Sequence, residues 1–76
     1  MRIKHTGYIY DTEKSEIIGF YVSDEANDHP CYMSVTIYRA SHGRYFLHGT
    51  GGPLTPMKGR ERILPVSEEV ALQLCL

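Results

Sequence analysis

Apolar and polar residues alternate most regularly between Cys31 and Arg39. Cys31, Met33, Val35 and Ile37 fall on one side of an extended chain, and Tyr32, Ser34, Thr36 and Tyr38 on the other. This period of two predicts a strand with one face toward a core and a second, amphipathic face half open to solvent. Upstream, Gly7-Tyr8-Ile9-Tyr10 is aromatic and β-branched and stops at Asp11-Thr12-Glu13-Lys14-Ser15, whose side chains satisfy turn backbones. Glu16 to Val22 follows as a second apolar run. Together they predict a hairpin, with Gly19 marking a bulge or the close approach of another element. Ser23 to Pro30 holds no strong strand former and carries three acids, Asp24, Glu25 and Asp28, so it predicts a solvated loop.

Ala40-Ser41-His42-Gly43 has hairpin length, and Arg44 to Gly49 returns as a further strand. Two registers fit. Pairing Arg39 with Arg44 sets Tyr38 against Tyr45 and Ile37 against Phe46, whereas a bulge at Gly43 sets Leu47 against Ile37. The first is preferred for its aromatic pair. Gly49-Thr50-Gly51-Gly52-Pro53 and Pro56 then break the pattern, and Ile63-Leu64 is a short edge strand stopped by Pro65.

Ser67 is a good N-cap, Glu68 and Glu69 suit the first turn of a helix, and Val66 is placed to staple against Ala71. Beyond that turn Gln73 is the sole polar residue among Val70, Ala71, Leu72, Leu74, Cys75 and Leu76. A helix of roughly ten residues does not persist alone in water, so it must dock on the sheet. The expected architecture is an α+β domain spanning residues 1–76: an antiparallel sheet of four to five strands built from hairpins, with one short C-terminal helix on one face. Apolar helix surface that the sheet leaves uncovered predicts a homodimer through Leu72, Leu74 and Leu76.

Length and charge narrow the function less than the fold. Seventy-six residues leave room for one core, and a chain this size buries only about 60% of its unfolded surface. The net charge of −1 excludes the strong field of a dedicated nucleic-acid binder or polyanion mimic. Its distribution is uneven. Residues 1–38 carry three bases and six acids, a balance of −3, while residues 39–76 carry five bases and three acids, a balance of +2. The absence of a basic-then-apolar leader and of a long apolar run, with only two widely spaced cysteines, points to a reduced cytoplasmic location.

From Tyr38-Arg39 through Gly43-Arg44-Tyr45-Phe46-Leu47-His48-Gly49, Gly51-Gly52-Pro53-Leu54-Thr55 and Ile63-Leu64-Pro65-Val66-Ser67-Glu68-Glu69 to Ala71, the chain resembles a family of small bacterial proteins carried on phages and mobile elements. The family pattern reads approximately YRTKKGxYFLHGEGGPLT, then GGEKIIPLSEEEA, and Tyr10-Asp11-Thr12 is similar to a shorter motif of it. The resemblance is densest over residues 38–71 and brings no established activity. Family members continue past the position of Ala71 with a polar, tryptophan-containing helix, whereas this chain runs Leu72-Gln73-Leu74-Cys75-Leu76.

Candidate chemistry is sparse. His29 and Cys31 share a strand face if the strand extends that far, but Cys31 continues the apolar alternation and reads as a core thiol. The histidines and cysteines lack the paired spacings of a metal site, so no metal and no cofactor are expected. If the helix packs over the central strand, Cys31 and Cys75 become neighbouring thiols or a disulfide. The glycine-rich turn 49–52 runs into prolines rather than a helix, which favours a turn over a phosphate cradle.

Two charged surfaces remain. Arg39, Arg44, Lys58 and Arg60, with His42 and His48 nearby and Tyr38 and Tyr45 interleaved, combine phosphate-binding and base-stacking chemistry. Asp11, Glu13, Glu16, Asp24, Glu25 and Asp28 form an acidic region suited to a basic groove on a partner. Each has a plainer reading as a solvated surface. The leading expectation is therefore a non-enzymatic phage or mobile-element protein that binds a host protein of a nucleic-acid-handling or defence complex, as an anti-CRISPR-type or other anti-defence inhibitor does. The alternative is a weak single-stranded nucleic-acid-binding module using the basic and tyrosine hairpin surface.

Overall fold

The computed structural model describes residues 1–26 and 28–75. The strands are β1 (Arg2–His5), β2 (Tyr8–Asp11), β3 (Glu16–Val22), β4 (Met33–Arg39), β5 (Tyr45–Gly51) and β6 (Arg62–Val66), followed by helix α1 (Glu68–Leu74). Strands β3 to β6 form a four-stranded antiparallel sheet in the order β3-β4-β5-β6, and β1 and β2 form a separate two-stranded sheet. This is the expected α+β class, with the strands divided differently.

The first difference is the N-terminal hairpin. β2 pairs with β1 instead of β3, through a two-residue turn in which Thr6 (φ 49°) and Gly7 (φ 85°) both take positive φ. Such a turn matches the twist of the strands it joins. Asp11 then redirects the chain. Its carboxylate accepts from the Glu13 amide (2.9 Å) and caps a 3-10 turn over Thr12–Lys14, and the Ser15 hydroxyl donates to the Asp11 carbonyl (2.7 Å). The predicted β2–β3 hairpin is thereby replaced by a step from the small sheet to the large one.

The second difference is register. Arg39 faces Tyr45, Tyr38 faces Phe46 and Ile37 faces Leu47, the bulged alternative rather than the preferred pairing. The Gly43 amide donates to the Ala40 carbonyl and the Ala40 amide to the Arg44 carbonyl, with Gly43 at φ 85°. This is a three-residue hairpin whose glycine absorbs the extra residue. The aromatic cross-strand pair survives with a different partner: Tyr38 and Phe46 stack at 4.9 Å with their planes 5° apart.

A core lies on each face of the large sheet. Val35, Ile37 and Leu47 pack with Met57 and Ala71 beneath α1, while Tyr38, Phe46 and Ile63 pack with Ala40 and Tyr10 beneath the β1–β2 hairpin. Helix α1 begins as expected, the Ser67 hydroxyl accepting from the Val70 amide (3.2 Å). Val66 packs beside the cluster that contains Ala71. Gly19 combines both expected roles. The β3 register shifts between Ile17 and Gly19, and a Cβ on Gly19 would lie 2.8 Å from Cys75 Sγ. β6 is the predicted edge strand but runs through Pro65, which an edge tolerates because the ladder needs no donor on its open side.

Candidate functional site

The basic group does not assemble. Strands β4 and β5 are seven residues long, with Arg39 and Tyr45 paired at one end and Met33 and Gly51 at the other. Arg39 and Arg44 therefore sit at the hairpin end, whereas Lys58 and Arg60 belong to the loop leaving the far end of β5, about 20 Å of strand away. Tyr38 is 8% exposed and stacked in the core, so no base can reach its face. Arg39 Nη2 lies 3.2 Å from Glu16 Oε1, both side chains being mostly exposed.

Arg44 and His42 fasten the small sheet to the hairpin tip. The Arg44 guanidinium lies 4.1 Å from the centre of the Tyr8 ring and its Nη2 donates to the Tyr8 hydroxyl (3.1 Å). His42 Nε2 is 3.0 Å from the Ile9 carbonyl, and its ring lies 4.9 Å from that of Tyr8 and 5.2 Å from that of Tyr10. Of the predicted residues, Tyr45 alone keeps a half-buried ring on an open cleft, shared with Lys14, Glu16, Arg39 and Glu68. That cleft holds acids and bases in equal number, which gives it no preference for a polyanion.

The remaining candidates also separate. β4 begins at Met33, so Cys31 is an exposed loop residue and not a core thiol. Its backbone amide donates to His29 Nδ1 (3.0 Å), which ties the ring to the main chain rather than to the sulfur. Cys75 packs against Gly19 and donates weakly to the Ile18 carbonyl, and both cysteines are free. Among the described residues no three His, Cys, Asp or Glu side chains converge as a metal site. The predicted glycine-rich turn is mostly strand, Gly49 to Gly51 completing β5, and beyond it the amides are spent internally: Gly52 donates to the Tyr32 carbonyl (2.7 Å), Leu54 to that of Pro30 (3.0 Å) and Gly59 to that of Gly52 (3.0 Å). A Cβ on Gly52 would run into the Pro30 carbonyl, so this glycine serves the close packing of two loops.

In the acidic region Asp11 is buried in its capping role, whereas Glu13, Asp24, Glu25 and Asp28 are exposed. The predicted dimer contact is split. Leu74 packs on the core with Cys75, Leu72 is exposed, and Leu76 lies outside the described residues. Residues two apart on a helix point about 200° from each other, so Leu72 and Leu74 do not share a face.

A surface that the sequence reading did not single out is more distinctive. On β3, Ile17 pairs with Tyr38, Phe20 with Thr36 and Val22 with Ser34, so these three side chains share the face that carries the β1–β2 hairpin. The hairpin covers Tyr38 and Phe46 but stops short of β3. Ile17, Phe20 and Val22 are 53%, 69% and 58% exposed. Beside them lie the half-buried Ser34, Thr36 and His48, the last paired with Glu61 (3.0 Å). The alternation of β4 did signal this amphipathic face. The apolar row of β3 is not legible in the sequence, because the weak pattern of β1 conceals the hairpin that packs on this face and covers only part of it. No family model matches this chain, nor does any curated protein or solved structure.

Proposed function

We propose that this chain is a non-enzymatic protein-binding module whose contact surface is the row Ile17, Phe20 and Val22 with the hydroxyl-bearing face beside it. The observation that carries the reading is Phe20, the most exposed aromatic of the chain's apolar core-formers, held on a regular strand instead of a mobile loop. Scattered surface apolar residues are ordinary, but an aligned row on one sheet face is the surface of a contact. The partner is taken to be a host protein, in the manner of an anti-CRISPR or other anti-defence inhibitor, on the likeness of residues 38–71 to small phage and mobile-element proteins.

The nucleic-acid reading has weaker support, because its stacking tyrosine is buried and its cations stand at opposite ends of the sheet. Affinity capture from a bacterial host lysate tests the choice. The tagged chain is expected to retain a protein that Phe20→Asp releases and Arg44→Glu does not. Retention of single-stranded oligonucleotide that falls with salt and with Arg44→Glu, and no protein dependent on Phe20, would overturn it.

A further inference from the structure

We infer that β3 accepts an added strand: an extended partner segment, apolar at alternate positions and basic at its N-terminal end, pairing antiparallel along the open edge from Phe20 to Ser23. The inference rests on the protein-binding reading and specifies its mode and the chemistry of the partner.

β3 ends the sheet, and among the described residues β4 is its sole neighbouring strand. The Ser23 amide donates to the Met33 carbonyl (2.9 Å), and the Met33 amide donates to the Ser23 hydroxyl (3.0 Å). In an antiparallel ladder, residues bonded to the neighbour alternate with residues whose backbone points away. Tyr21 and Gly19 therefore turn their amides and carbonyls toward β4, and Phe20 and Val22 turn theirs outward. Among the described residues no backbone group outside β4 bonds to either. An edge of this kind, apolar and unpaired, is a template for another strand.

The open length is bounded on both sides. Toward the N-terminus the bulge at Ile17 and Ile18 breaks the ladder, and Cys75 Sγ occupies the Ile18 carbonyl at 3.8 Å. Toward the C-terminus the strand gives way to the acidic loop. The outward backbone of Phe20 and Val22 is thus available where the exposed side chains of the same two residues supply apolar contact.

Charge decides the occupant. Asp24, Glu25 and Asp28 lie just beyond Val22, are exposed, and take part in none of the ion pairs among the described residues. A second copy pairing antiparallel about a two-fold axis through Tyr21 would bring Asp24 and Glu25 toward the other copy's Glu16, whose carboxylate already holds the adjacent Arg39 at 3.2 Å. Like charges placed opposite one another oppose such a pairing. A segment running antiparallel to β3 brings its N-terminal end to these acids, and lysine or arginine there meets unpaired carboxylates.

The probe is a synthetic peptide of two lysines followed by alternating valine and threonine, compared with the same peptide carrying glutamates in place of lysines. Amide hydrogen exchange and chemical shifts of the full chain are followed by NMR. With the lysine peptide at saturation, exchange at Phe20 and Val22 is expected to slow by about tenfold or more, since a hydrogen-bonded amide exchanges only on opening. The glutamate peptide is expected to bind at least about threefold more weakly. Phe20→Asp is expected to abolish protection, while the outward-facing Ser41→Ala leaves it unchanged. No protection with either peptide overturns the inference. If the Phe20 and Val22 side-chain signals shift without amide protection, strand addition is wrong and the protein-binding reading stands. Protection of the same amides without peptide, together with a dimer in sedimentation, assigns the edge to a second copy and likewise overturns the inference.

Discussion

Two phenylalanines receive opposite assignments in this fold, and truncating each to alanine separates core from contact surface. Phe46 is wholly buried, parallel to Tyr38 at 4.9 Å and edge-on to Tyr10 at 5.5 Å, so it joins the large sheet to the N-terminal hairpin. Removing a buried phenylalanine side chain costs about 3–5 kcal/mol in lost transfer free energy and residual cavity. A chain of 76 residues has a total stability of about 4–11 kcal/mol at the usual value per residue. Phe46→Ala therefore removes about a quarter or more of the whole, lowering the thermal midpoint by about 12 °C or more. Phe20→Ala, by contrast, acts on a ring that is 69% exposed and is expected to change stability by no more than about 0.5 kcal/mol. Urea unfolding followed by tyrosine fluorescence and far-ultraviolet circular dichroism measures both, and the chain has no tryptophan to complicate the signal. A Phe46→Ala loss under about 1 kcal/mol, or a Phe20→Ala loss of similar size to it, would refute the assignment of Phe46 to the core and Phe20 to the open part of the same face.

Gly52→Ala places a methyl group against the Pro30 carbonyl and is expected to cost about 1–3 kcal/mol, measurable in the same urea titration. Ser67→Ala removes the cap of α1 and is expected to cost about 1 kcal/mol. Arg39→Ala breaks an exposed ion pair with Glu16 and is expected to move stability by no more than about 0.5 kcal/mol at moderate salt. In the native protein a thiol reagent is expected to label Cys31 ahead of Cys75, and recovery of a Cys31–Cys75 disulfide would contradict their separation.

The elements were legible in the sequence where local chemistry decides them. The alternation of β4, the Ser67 cap and the turn residues 11–15 each act within a few positions, and each appears in the fold. Pairing depends on distant partners, and there the reading failed. Arg2–His5 has Ile3 as its sole apolar residue, too weak a pattern to announce a strand, and without it β2 had β3 as its nearest available partner. The hairpin register turned on whether Gly43 takes positive φ, a choice that composition leaves open. Cys31 illustrates a different limit: a period-two pattern does not reveal where pairing ends, and His29 and Pro30 turn the chain before Cys31 can join the ladder.

The charged candidates failed for a related reason. Arg39, Arg44, Lys58 and Arg60 are close in sequence, but a seven-residue strand carries the chain from one end of the sheet to the other between them. The exposed β3 row depends on how much of the sheet face the β1–β2 hairpin covers, which no local pattern in the sequence reveals.

Site-specific photo-cross-linking tests most directly whether β3 is the contact surface. A benzoyl-phenylalanine is placed singly at position 20, at position 54, which is equally exposed on the far loop, and at position 44 on the hairpin tip. Irradiation in host cells is expected to yield a discrete protein adduct from position 20 and none above background from position 54. Adducts from position 44 alone, or nucleic-acid adducts in place of protein, would contradict a protein contact through Phe20.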